Sequence, residues 1–289
     1  MIYNLSNQTL SVKINAAGAE IVSIVKRGAE YIKTNFDILD GWAFNLFPII
    51  GRLNQGVYTY QGETFKIPKN GFLRKALFDV TAREKDSIAL EFKYNDCTLK
   101  MYPFKFSYSI TYTLKDNTVK VDNKITNLDD KPIYFCAGAK PGFNVPISDQ
   151  LDFSDYYIEF EQAKSIKRLC LDSSFLLNGK FESLELMEGN ILPLRHKMFD
   201  NDALILSGST KSIALKSNYD SKSVKISYPD MSYIALWKPP RTETPLLCIE
   251  GWTGLPSYKY KIDDIQTKEN IIKLDVKENY TNAWTIEIN

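Results

Sequence analysis

Short runs in which apolar and polar residues alternate recur along almost the whole chain, and this period of two narrows the possible folds more than any other feature. A half-buried strand sends successive side chains to opposite faces of its sheet, so alternation of β-branched and aromatic residues predicts strands rather than helices. Residues 88–94, 106–114 and 119–125 predict three successive strands, with Lys115-Asp116-Asn117-Thr118 as the tight turn joining the last two. Further strands are expected over residues 10–14, 57–60, 133–137, 156–160, 223–228, 234–237, 246–250 and 283–288. Helical periodicity is scarce, and residues 165–197 form a long segment whose elements the pattern does not assign. Short strands separated by polar turns point to an all-β, antiparallel sandwich rather than to alternating βαβ units. No repeat, low-complexity tract or Pro/Gly/Ser linker divides the chain, so one domain over residues 1–289 is expected.

A chain of 289 residues is long enough to bury a sizeable core. Lys and Arg number 36 against 35 for Asp and Glu, a formal net charge of +1, and no long block of one sign offers itself to a polyanion; no nucleic-acid partner is expected. Residues 1–8 lack a basic start followed by an apolar run, and no stretch approaches the roughly 18 apolar residues of a membrane span, so a cytoplasmic protein with no membrane partner is expected. Cys97, Cys136, Cys170 and Cys248 lie far apart and His196 is the only histidine, which leaves a Cys/His metal site nothing to build on. Four scattered thiols suit a reducing compartment, although a disulfide between distant ones stays open at this point.

Several segments break the alternation and gather unusual chemistry. Trp42-Ala43-Phe44-Asn45-Leu46-Phe47-Pro48-Ile49-Ile50-Gly51-Arg52 ends an aromatic run on a guanidinium able to donate two parallel hydrogen bonds, or is simply a core strand ending in a surface arginine. Pro68-Lys69-Asn70-Gly71-Phe72-Leu73-Arg74 is a glycine turn that sets Asn70 beside two cations, and Asn-Gly is equally a common hairpin turn. Ala137-Gly138-Ala139-Lys140-Pro141-Gly142-Phe143-Asn144 presents Lys140 after an apolar strand, where a solvated loop lysine is the plain alternative. In Leu246-Leu247-Cys248-Ile249-Glu250-Gly251-Trp252-Thr253-Gly254 a carboxylate closes an apolar run just before a glycine-flanked tryptophan. A carboxylate entering such a run needs a partner or a task, and the indole beside it could wall one face of a pyranose.

Taken together and in order, these segments, with Tyr102-Pro103-Phe104 and Asn201-Asp202-Ala203-Leu204, resemble the galactose mutarotase-like, or aldose 1-epimerase, family, especially its bacterial branch related to the lactose-operon protein of lactic acid bacteria. The resemblance covers nearly the whole chain. It implies a large β-sandwich, or supersandwich, with an open cleft for a free hexose and no cofactor. The family reaction interconverts α and β anomers: a base takes the anomeric hydroxyl proton, an acid protonates the ring oxygen, the ring opens, C1 rotates and reversed roles close it. By motif match Glu250 falls on the family's base, Arg52 on its sugar-binding arginine and Asp202 on a carboxylate that bonds sugar hydroxyls; Asn70, Arg74 and Trp252 join the expected binding set.

The chain also departs from the family, which usually has a histidine where Asn70 stands and another, its general acid, where Lys140 stands. Asn70 can still donate and accept hydrogen bonds but cannot titrate. Lys140 carries a proton, yet near its ordinary pKa it is a poor acid at neutrality unless burial lowers that value. Alternatively it pairs with Glu250 and weakens it as a base. His196 matches no family motif and reads as a surface residue. An active or impaired epimerase using Glu250 and Lys140, a non-catalytic sugar-binding relative serving as sensor or accessory protein, and a mutarotase for a phosphorylated hexose are the readings that follow. The last draws on Lys140, Arg52, Lys69 and Arg74 near one pocket. A purely structural module that binds other proteins is the remaining alternative.

Overall fold

The three strands expected between residues 88 and 125 form over Ser87–Lys93, Phe106–Lys115 and Thr118–Asn127. They belong to a computed structural model that describes residues 1–32, 45–161, 165–208 and 211–289. Trp42, Ala43 and Phe44, at the head of the aromatic run, lie outside the described residues. Register explains the alternation: Tyr108 stands opposite Ile125, Tyr112 opposite Val121 and Leu114 opposite Val119, all buried on one face. Such cross-strand pairs are what stabilise a sheet. The turn closes at Asp116 with φ 51°, a left-handed value that Asp and Asn tolerate better than most residues.

These strands sit in a nine-stranded sheet, ordered Ile191–Pro193, Tyr156–Phe160, Ser212–Ser217, Val224–Ser227, Asn279–Ile288, Thr118–Asn127, Phe106–Lys115, Ser87–Lys93 and Asp79–Arg83. A second large sheet runs Leu177–Ser183, Lys167–Leu171, Leu204–Ser207, Tyr233–Trp237, Leu246–Trp252, Gly138–Ala139 and Asn45–Leu46, with Gly142–Asn144 also paired to Leu246–Trp252. The ladders within both are antiparallel, as the sequence predicts. The fold is the expected large antiparallel β-sandwich.

The Leu246–Trp252 strand of the second sheet is buried on both sides, and the two faces have different uses. From Leu246–Trp252, the side chains of Leu247 and Ile249 join Leu204, Leu206, Ile234 and Leu236 in the main core, together with Tyr108, Val121 and Trp284 of the nine-stranded sheet. The intervening Leu246, Cys248 and Trp252 join Ile205, Ala235 and Trp237 in a second apolar cluster on the opposite face. Glu250 falls on this second face by period. Each large apolar side chain so buried stabilises the fold by about 1.5–3 kcal/mol, which is why a strand buried on both faces reads as a continuous apolar run with one carboxylate.

Two sequence expectations change here. Residues 165–197 hold the strands Lys167–Leu171, Leu177–Ser183 and Ile191–Pro193 and the start of the 3-10 turn His196–Phe199. Leu177–Ser183 is an edge strand exposed after its first residue, so no apolar face marks it. His196 is not a free surface residue: its ring stacks on Phe153 at 4.3 Å, and burial, then the charge of Lys238, lower its pKa. All four cysteines are free thiols. Among the described residues no helix is long and apolar enough to cross a membrane.

Candidate functional site

An open cleft lies on the outer face of the second sheet and is lined by Arg52, Lys69, Asn70, Lys140, Asp202, Glu250 and Trp252, with Phe175, Trp237 and Pro256 among their neighbours. Six of the seven residues expected to act on substrate meet there. Arg74 does not line it. The backbone of Phe72 donates to the carbonyl of Phe47, at 3.1 Å, and the chain then enters the 3-10 turn Leu73–Lys75, whose Arg74 carbonyl packs beside Gly18.

Glu250 forms the floor of the cleft. Its strand places it opposite Ala235, small enough to leave its carboxylate room, and it is only 1% exposed. The next residue must be glycine, because a Cβ on Gly251 would lie 2.5 Å from the Met231 sulfur and from the Tyr228 ring. A buried charge needs full hydrogen bonding, and both carboxylate oxygens are engaged. Oε1 accepts from the Lys140 ammonium in a close ion pair, and Oε2 accepts from Trp252 Nε1 at 3.0 Å. The Trp252 indole thus orients the carboxylate as well as walling the cleft.

Lys140 is buried and its ammonium also sits 3.9 Å from the centre of the Trp237 ring, a cation–π contact. Burial alone would push its pKa down, but the Glu250 carboxylate reverses the sign and the net shift is upward. Its proton is therefore held more tightly than on an ordinary lysine, the opposite of what the acid role demands. Of the two alternatives left by the sequence, the geometry matches pairing with Glu250.

Trp237 also donates through Nε1 to Asp202 Oδ1 in a close hydrogen bond, so one indole bridges the second carboxylate and the ammonium. Asp202 is buried, takes φ 75° and donates its backbone N–H to Phe199 at 3.0 Å, which ends the His196–Phe199 turn and swings its side chain into the cleft. Sequence reading missed Trp237 as a site residue, although a period of two counted from Ala235 puts it on the same face. Phe175 was also missed, because it lies in the unassigned stretch; its ring stands 5.4 Å from the Arg52 guanidinium carbon.

Asn70 takes φ 64° and clamps the neighbouring segment: Oδ1 accepts from Gly51 N–H at 2.7 Å, and its own N–H donates to Gly51 O at 2.9 Å. Gly71 follows at φ 73°, where a Cβ would stand 1.8 Å from the Phe47 carbonyl oxygen, so only glycine fits. Asn70 accordingly spends its acceptor on the scaffold that aims Arg52. Arg52 is itself exposed, and its carbonyl accepts from Ser257 N–H at 3.0 Å. Lys69 makes no ion pair or hydrogen bond among the described residues. It is an exposed residue, yet partial desolvation at the cleft lowers its pKa; Asp202 and Glu250 oppose that shift, whereas Lys140 and Arg52 add to it.

The antiparallel sandwich is that of the galactose mutarotase-like class of proteins. The profile of the family described as Aldose 1-epimerase matches residues 1–261, and the chain belongs to that family. It is 27% identical over 301 residues to the chromosomal protein LacX of Lactococcus lactis subsp. lactis, an alignment covering 100% of this chain and 99% of LacX. Among solved structures it is similar to a galactose mutarotase-like protein from Lactobacillus casei ATCC 334, with TM-score 0.93, 29% identity and 100% of both chains covered. It also resembles a galactose mutarotase related enzyme from Lactobacillus acidophilus, with TM-score 0.94, 26% identity, and 100% of this chain and 97% of the other covered.

Proposed function

We propose that the chain binds a free aldohexose in this cleft and interconverts its α and β anomers, with Glu250 as the base. The observation that carries the reading is the Glu250 carboxylate at the cleft floor, almost wholly buried and oriented by Lys140 and Trp252. A carboxylate fixed in that way can take the proton of an anomeric hydroxyl, while a second group delivers one to the ring oxygen and the C1–O5 bond opens. Rotation about C1–C2 and reversal of both transfers give the other anomer. Arg52 and Asp202 are assigned to the sugar hydroxyls, and the Trp252 and Trp237 rings to its apolar face. The ion pair with Lys140 competes with the anomeric proton for Oε1, so turnover is expected to be slow.

Polarimetry on freshly dissolved α-D-glucose and α-D-galactose, with and without protein, tests this directly. Acceleration of mutarotation that Glu250→Gln abolishes, with sugar binding kept, supports the reading. Sugar binding without acceleration by the wild-type protein replaces it with a non-catalytic sugar-binding relative.

A second reading has one observation in its favour. The cleft holds three cations, Arg52, Lys69 and Lys140, against two carboxylates, Asp202 and Glu250, which leaves positive charge for a phosphorylated hexose. Faster turnover of glucose 6-phosphate than of glucose would select it.

A further inference from the structure

Ring opening consumes a proton at the sugar's ring oxygen, and the lysine first expected to supply it is committed elsewhere. Lys140 is held by Glu250 on one side and the Trp237 ring on the other. Lys69 lines the same cleft and has no ion-pair or hydrogen-bond partner among the described residues. We propose that Lys69, rather than Lys140, is the proton donor to the ring oxygen. This inference rests on the reading of the cleft as a mutarotase site.

The division of labour follows from the surroundings of the two ammonium groups. The charged groups that face Lys69 are Asp202, Lys140, Arg52 and Glu250, and with burial they leave its pKa below that of an ordinary lysine. A lysine so placed gives up its proton more readily than Lys140, whose pKa lies above the ordinary value. The step balances in both directions. Glu250 removes the C1 hydroxyl proton as the C1–O5 bond breaks, its electron pair goes to O5, and O5 takes the Lys69 proton, which leaves an open aldehyde, a neutral amine and a carboxylic acid. After rotation about C1–C2, O5 attacks C1, returns its proton to the Lys69 amine, and Glu250 protonates the former carbonyl oxygen.

Because Lys69 must be protonated for the opening step, the rate should fall on the alkaline side as the pH rises through its pKa, at a pH below that of an unperturbed lysine. Two variants test the assignment by polarimetry with α-D-galactose and α-D-glucose, each checked for folding by thermal melting. Lys69→Met is expected to lower kcat by about 10²-fold or more with a smaller change in KM. Lys69→Arg keeps the positive charge but holds its proton at any working pH, so it should be as slow as Lys69→Met and lose the alkaline fall of the wild type. An active Lys69→Arg overturns the proposal. So does a Lys69→Met effect confined to the KM of glucose 6-phosphate, which would make the residue a phosphate anchor. A wild-type protein that binds galactose by calorimetry without accelerating mutarotation overturns the donor assignment but keeps the sugar site. One that binds no sugar overturns both.

Discussion

At the scale of single residues, the site is built on two indole donors that no motif singled out for this purpose. Trp252 and Trp237 each give their one N–H to a carboxylate, Glu250 and Asp202, and the Trp237 face also carries the Lys140 ammonium. Removing one member of so buried a pair leaves the other charge without compensation. Lys140→Met should therefore destabilise the protein by about 3–5 kcal/mol, read from urea unfolding. Lys140→His should be milder, because an imidazole can still donate a hydrogen bond to Oε1 while holding its proton less tightly than an ammonium does, which eases the competition with the anomeric proton. We expect it to raise kcat in polarimetry at pH 7.5 or above; a slower Lys140→His would show that the ion pair itself promotes the reaction. Arg52, Asn70, Lys140, Asp202, Glu250 and Trp252 were legible in the sequence from the order of their motifs. What each does there was not, since Asn70 bonding Gly51 and Trp252 orienting Glu250 depend on backbone directions that only the folded chain supplies.

Strands were legible where one face is wet and obscure where that contrast fails. Val57–Tyr60 and Tyr156–Phe160 show clean alternation and form with the expected limits. Glu20–Lys26 and Ser212–Ser217 went unassigned because burial on both sides blurs their period, while Asp79–Arg83 is an edge strand with too little burial to show one. Residues 133–137 end as a strand at Phe135 because Cys136 turns its N–H to the carbonyl of Pro48 instead. The Leu246–Trp252 strand extends two residues past its expected end, through Gly251, where the Tyr228 ring packs against the backbone and its hydroxyl donates to Ile249 O at 2.7 Å. Gly251→Ala should drive a methyl into that ring and cost about 1–3 kcal/mol through overpacking. A lowered melting temperature, together with weaker galactose binding as Glu250 is displaced, is the expected outcome; unchanged values for both would mean that Tyr228 and Met231 yield without moving the strand.

For the whole molecule, ligand and stability are linked, because a sugar that binds only the folded chain shifts unfolding by mass action. Galactose at about 100 times its dissociation constant should add about 2.7 kcal/mol to wild type. A similar rise in Glu250→Gln would show that binding outlives the loss of the base, and no rise in either would remove the sugar site. The cleft occupies one face of a sheet whose other face is core, so adjacent residues of Leu246–Trp252 answer to separate demands: Leu247 and Ile249 to packing, Cys248 and Glu250 to the surroundings of the cleft. The arrangement lets heredity treat shape and chemistry as separate traits. A lineage with this scaffold can change the residue at position 250 while positions 247 and 249 keep their core contacts, so its descendants hold to one architecture while their trades diverge.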